Sequence, residues 1–98
     1  MALKIFWTKR AKESLRSIID YLEEYWTENE ILNLEKNLQD LLNKVAEYPD
    51  ICPKTSKKRR VHKGIVDKNN YIIYKVKPRK KTIDIVNFRG TKQKPLRQ

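Results

Sequence analysis

Two helix-like runs of apolar residues stand back to back with almost no chain between them, and few arrangements accommodate that. From Thr8 to about Trp26 the apolar positions are Ala11, Leu15, Ile18, Ile19, Leu22 and Trp26, the three-and-four spacing that keeps one helical face buried. Lys12, Arg16, Asp20, Glu23 and Glu24 fill the remainder. Thr8 is placed to accept a hydrogen bond from a first-turn amide. A second run opens at Thr27-Glu28-Asn29-Glu30, a capping-box pattern in which the threonine oxygen and the Glu30 carboxylate would each satisfy an orphan amide. Its apolar residues Ile31, Leu34, Leu38, Leu41, Leu42 and Val45 repeat the spacing, with Tyr48 following, until Pro49 stops it. Helices joined this tightly fold back on each other, so the pattern predicts an antiparallel αα-hairpin. Ahead of it, Leu3 to Trp7 is short, β-branched and aromatic, and reads as a strand.

The second half has a different texture. Two prolines, Pro49 and Pro53, make a rigid exit from the hairpin, and the KTSKKRR that follows is too charged for a core. Arg60 to Val66 is read as a strand, broken or bulged near Gly64, and Asp67-Lys68-Asn69-Asn70 as a hairpin turn. Tyr71 to Lys77 is a strand with Tyr71 and Ile73 on one face and Ile72, Tyr74 and Val76 on the other. Pro78 to Lys81 turns the chain into Thr82 to Arg89, where Ile83 and Ile85 alternate with Asp84 and Val86. Apolar residues on both faces let one face pack on the helices and leave the other partly apolar and rimmed by Lys and Arg. The expected architecture is α+β, in the order β-α-α-β-β-β, with the helical hairpin on one face of a small, mainly antiparallel sheet. Residues 1–98 make a single domain, ending in a basic stretch from Gly90 whose last residues, 96–98, are expected to be a mobile tail.

Charge separates the halves further. Residues 1–50 carry 7 Lys/Arg against 10 Asp/Glu, whereas residues 51–98 carry 16 against 2. So one-sided a field speaks of an anionic partner, a nucleic acid or an acidic protein, the alternative being charge that only keeps a small protein dissolved. One His and one Cys do not make a zinc site, and two glycines do not make a phosphate loop, so metal and nucleotide cofactors are not expected. The serines have no paired base, which removes a Ser-His-Asp hydrolase. The lone Cys52, together with the lack of a signal-peptide run or a span of about 18 apolar residues, leads to the expectation of a cytoplasmic protein with no membrane partner. The remaining chemistry is cationic and aromatic. Lys57, Lys58, Arg59, Arg60 and Lys63, with Arg89, Lys92 and Lys94 at the far end, would line a groove that neutralises phosphates. Tyr71 offers a stacking surface for a base. His62, if on a strand with Arg60, would share its face and suit proton transfer, the alternative being an ordinary surface or interface residue. Arg89 and Lys92 stand where a cation would stabilise a phosphorane-like transition state.

These segments together resemble the RelE/ParE superfamily of bacterial type II toxins. The resemblance rests on the first strand, the hairpin that begins AKESLRSIIDYL at Ala11, the exit at Pro49, RRVHKG, YIIYKV, and the final IDIVNFRGTKQKP with Phe88, Lys92-Gln93 and Pro95. It implies a growth-inhibiting toxin, neutralised by a cognate acidic antitoxin, that cleaves mRNA on the ribosome without a metal, the alternative being inhibition of DNA gyrase without enzymatic activity. A basic nucleic-acid-binding module without toxicity is the remaining reading. In the nuclease branch sheet-borne Lys and Arg act on the ribose 2′-OH and the cleaved phosphate, often with a His or Tyr near the C-terminus. Arg60 then fits the basic position on the second strand, and Arg89 or Lys92 the cation after the last.

Overall fold

The computed structural model describes residues 2–55 and 60–90. The element order is β1 (Lys4–Trp7), α1 (Lys9–Tyr25), α2 (Glu28–Glu47), β2 (Val61–Asp67), β3 (Asn70–Lys77) and β4 (Thr82–Gly90). The expected tail at 96–98 lies outside the described residues. Four strands form one mixed sheet in the order β1-β4-β3-β2. The first strand runs parallel to the last, Lys4 opposite Thr82 and Trp7 opposite Ile85, and the other pairings are antiparallel.

The helical hairpin covers one face, as its periodicity requires. Thr8 caps α1 by accepting from the Ala11 amide at 3.2 Å, and its hydroxyl donates to the Ile85 carbonyl at 2.9 Å, so one side chain starts the helix and ties it to β4. Ala11 is fully buried, with Leu15, Ile18, Ile19 and Leu22 packed against the core. Trp26 falls beyond the last helical residue and is half exposed, outside the face to which the spacing assigned it. The capping box at α2 does not form. Thr27 precedes the helix without a side-chain cap, and the turn is closed by the Glu30 amide donating to the Thr27 carbonyl at 3.1 Å. Leu34, Leu38, Leu42 and Val45 then enter the core.

Inward positions of the sheet are His62, Gly64 and Val66 on β2, Ile72, Tyr74 and Val76 on β3, and Ile83, Ile85 and Phe88 on β4. At Gly64 the strand is unbroken, in contrast to expectation, and the register shift falls between Ile65 and Asp67. The glycine serves packing instead. A Cβ there would meet Leu41 Cδ2 at 3.2 Å, Cys52 Sγ at 3.3 Å and Ile72 Cγ1 at 3.4 Å. A second irregularity, with Ile73 opposite Asn87 but Tyr74 opposite Ile85, leaves Val86 as an extra residue in β4. That residue shifts the phase of the strand, so Phe88 rather than Asn87 takes the core position, 6.4 Å from the ring of Trp7. The Asn87 carboxamide accepts from Ser14 on α1 at 3.2 Å.

Candidate target-binding face

Among the described residues the hairpin leaves the other face of the sheet uncovered, and alternation along the strands, shifted in β4 by Val86, decides what it shows. Across the end near the β2–β3 turn, Ile65 stands opposite Tyr71 and Tyr71 opposite Arg89. Lys63, diagonal to Tyr71, holds its ammonium 4.3 Å from the centroid of the ring, a cation–π contact. Lys63 and Arg89 are exposed and Tyr71 is half-buried, so this end is a row of cation, aromatic and cation. Toward the other end Lys75 stands opposite Asp84, and Asp84 opposite Phe6 of β1. Asp84 pairs with Lys77 at 2.7 Å. Phe6 and Ile65 are both more than half exposed, giving the face apolar patches at its two edges.

Arg60 lies just before β2, with φ of 67°, and its carbonyl accepts from the Val76 amide at 2.8 Å. It therefore flanks the β3–β4 turn, while Arg89 flanks the β2–β3 turn. Val76 is five steps along the strand from Tyr71, roughly 17 Å at about 3.3 Å per residue. Donors to one reacting oxygen must come within about 3 Å of it, so these two arginines address different points of any ligand. Lys57, Lys58, Arg59, Lys92 and Lys94, also predicted for this groove, lie outside the described residues.

His62 takes another position altogether. Since β2 begins at Val61, His62 does not share a strand face with Arg60 but points under the hairpin, 2% exposed. Its ring stacks on Tyr74, centroids 5.0 Å apart and planes 8° from parallel. Nδ1 donates to the Cys52 carbonyl at 2.7 Å, and Nε2 has no hydrogen-bond partner among the described residues, with Asp50 Oδ1 3.6 Å away. Tyr74 in turn donates its phenol to the Pro49 carbonyl at 2.8 Å. Burial, with the neighbouring Cys52 next, pushes that phenol far above its ordinary pKa. His62 and Tyr74 thus hold the Pro49–Pro53 segment against the sheet.

The sequence reading missed Lys75, Lys77, Arg79 and Lys80. With Arg60, Val76 and Pro78 they line a shallow cavity of about 380 Å³ at the β3–β4 turn. Their signal was the alternation in YIIYKVK, where both lysines fall in phase with Tyr71 and opposite to the core residues. On the helical side a larger groove, about 610 Å³, is built on Trp7, Leu15 and Ile19 and edged by both charge signs.

A two-helix hairpin over a four-stranded mixed sheet with its other face open is the fold of ParE and RelE toxins. The family model described as ParE toxin of type II toxin-antitoxin system, parDE, matches residues 5–95. The chain belongs to this family and is a type II toxin of the ParE/RelE superfamily, whose members pair with a cognate antitoxin. A chain of the chromosomal ParDE system from P. aeruginosa superposes with a TM-score of 0.73 at 15% identity, over 93% of this chain and 98% of that one. A mutant of E. coli toxin RelE in the free state gives 0.62 at 15% identity, over 94% and 86%. A chain of the YoeB dimer from Staphylococcus aureus gives 0.61 at 14% identity, over 91% and 97%. No curated protein sequence matches.

Proposed function

We propose that this toxin arrests growth by binding, as a non-enzymatic inhibitor of DNA gyrase, and that an acidic antitoxin neutralises it by covering the open face of the sheet. The observation that carries this reading is the dispersal of the reactive side chains. Arg60 and Arg89 stand at opposite ends of the face, and the single imidazole is buried between Tyr74 and the Pro49–Pro53 segment. Residues 75–98 contain neither His nor Tyr, the residue types that nuclease relatives often place near the C-terminus. A face with spread cations and two apolar edges fits a macromolecular surface better than a single scissile phosphate. The test is induced expression followed by two assays on the arrested cells. Accumulation of gyrase-cleaved DNA with intact mRNA is expected, and codon-linked cuts in translated mRNA with undamaged DNA would reverse the assignment.

The row of Lys63, Tyr71 and Arg89 favours a second reading, ribosome-dependent mRNA cleavage, because an aromatic ring between two cations can stack a base while its phosphate is held. Arg89, with Lys92 beyond it, would then stabilise the cleaved phosphate. In that case Arg89→Ala lowers cleavage on the order of 100-fold or more, read by primer extension on translated message.

A further inference from the structure

At the end of the sheet opposite the Lys63–Tyr71–Arg89 row, Arg60, Lys75, Lys77, Arg79 and Lys80 surround one cavity whose lining contains no carboxylate. Asp84 meets one of the five, Lys77. The backbone beneath them is unusual. Among the described residues only two non-glycine residues have positive φ, Arg60 at 67° and Lys81 at 58°, and both flank this turn. A left-handed conformation costs an ordinary side chain about 1–2 kcal/mol and glycine almost nothing, so folding alone would favour glycine at both places. The chain instead holds cations there. Arg60 is pinned by the Val76 amide on its carbonyl, and Lys81 by its own amide donating to Pro78 and its carbonyl accepting from Lys4. Like charges crowded on one turn repel, which also opposes folding. Strain and repulsion retained together at one place point to a ligand that offsets both.

We propose that the β3–β4 turn is a binding site for the phosphodiester backbone of a nucleic acid, separate from the row at the other end of the sheet. Its volume of about 380 Å³ falls within the usual range of ligand clefts, roughly 300–1,000 Å³, and because the cavity is shallow a long strand can lie across it. The five cations present no aromatic ring and no base-reading geometry in the cavity lining, so the site takes phosphates without regard to sequence. This site does not depend on which target the toxin arrests.

The experiment measures affinity of the full chain for a labelled 20-base-pair DNA duplex and a labelled single-stranded RNA, by anisotropy between 50 and 200 mM salt. Arg79→Gln with Lys80→Gln is compared with wild type and with Lys9→Gln and Lys12→Gln, which removes the same charge from exposed positions around the start of α1. Each lost phosphate contact flattens the salt slope by about 0.9 on duplex and 0.7 on single strands. The turn variant should therefore lose about 1.8 or 1.4 in slope. On duplex, wild type then loses about 12-fold more affinity than the variant across this salt range. A change confined to duplex identifies DNA as the occupant, and one confined to the single strand identifies RNA. Arg60→Gly keeps the left-handed backbone and should also weaken binding without lowering the melting temperature. Equal slopes for wild type and turn variant on both probes, or an equal fall in the α1 variant, would overturn the proposal.

Discussion

Single atoms decide how closely the Pro49–Pro53 segment lies against the sheet. A methyl group at Gly64 would press on Leu41, Cys52 and Ile72 at once. Cys52 has little room to retreat, because its carbonyl is bonded to His62 and the nearby Pro49 carbonyl to Tyr74. Overpacking of this kind costs about 1–3 kcal/mol and the stiffer unfolded chain returns about 0.4–1, so Gly64→Ala should lower urea stability by about 1 kcal/mol. Tyr74 gives a pH prediction. Its folded-state pKa is raised, chiefly by burial, so the folded protein holds the phenolic proton more tightly than the unfolded chain. The resulting stability is fully present below the unfolded value of about 10 and is lost as pH rises beyond it. Tyr74→Phe should be less stable at pH 7 by about 1–2 kcal/mol, since the Pro49 carbonyl loses its donor. It should also show a shallower decline above pH 10, and urea titrations of both proteins from pH 7 to 11 compare the two slopes. His62 shows why this part of the structure was hard to read in the sequence. In VHKGIV both Ile65 and Val66 are apolar, so alternation does not choose the inward phase, and the left-handed Arg60 removes the expected pairing of faces.

At the level of the elements, the two helix starts differ although both begin with threonine. Thr8 accepts from the Ala11 amide and donates to Ile85, whereas Thr27 makes no side-chain cap. Thr8→Ala should cost about 1–2 kcal/mol and Thr27→Ala under about 0.5, read as shifts of the urea midpoint at constant slope. Equal losses would mean that Thr27 caps its helix in solution. The hairpin itself was legible because five apolar positions in the first helix and six in the second, at three-and-four spacing, leave one amphipathic solution. Strand identities were legible from β-branched and aromatic runs between turn residues. The parallel pairing of β1 with β4 was not, because nothing local records which edge a first strand joins. The extra residue at Val86 was hidden for a related reason. Simple alternation from Ile83 and Ile85 puts Asn87 inside, and only packing of Phe88 near Trp7 and the bond from Ser14 to Asn87 corrects the phase. On the candidate face, Arg60, Lys63, Tyr71 and Arg89 were visible as residues. Their distribution over two ends, and the cluster at the β3–β4 turn, required the strand register.

For the whole molecule, the uneven charge bears on how it would meet the acidic antitoxin proposed above. The half that contains β2, β3 and β4 carries 16 basic and 2 acidic residues, and the half with the hairpin carries 7 and 10. Among the described residues Lys63, Lys75 and Arg89 lie on the open sheet face, and cations so placed would draw an approaching polyanion toward it before any contact forms, raising association rates by a factor of about 10 to 1,000. Salt screens that attraction within about 10 Å at 0.1 M, but it acts less on contacts already made and dehydrated. Association with an acidic antitoxin should therefore slow at least tenfold between 50 and 500 mM salt, with dissociation changing much less. Position should matter as well as charge count. Arg60→Gln and Arg89→Gln, at the two ends of the face, should each slow association, because steering sums over the field and does not require the two to share a contact. Lys36→Gln removes the same charge from the second helix, where Lys36 lies 3.8 Å from Asp40, and should leave the rate near wild type. Stopped-flow measurements with the cognate antitoxin give all four rates. A rate that ignores salt, or that responds equally to Lys36 and Arg89, would mean that apolar contacts govern the encounter, with the exposed Phe6 and Ile65 the next residues to replace.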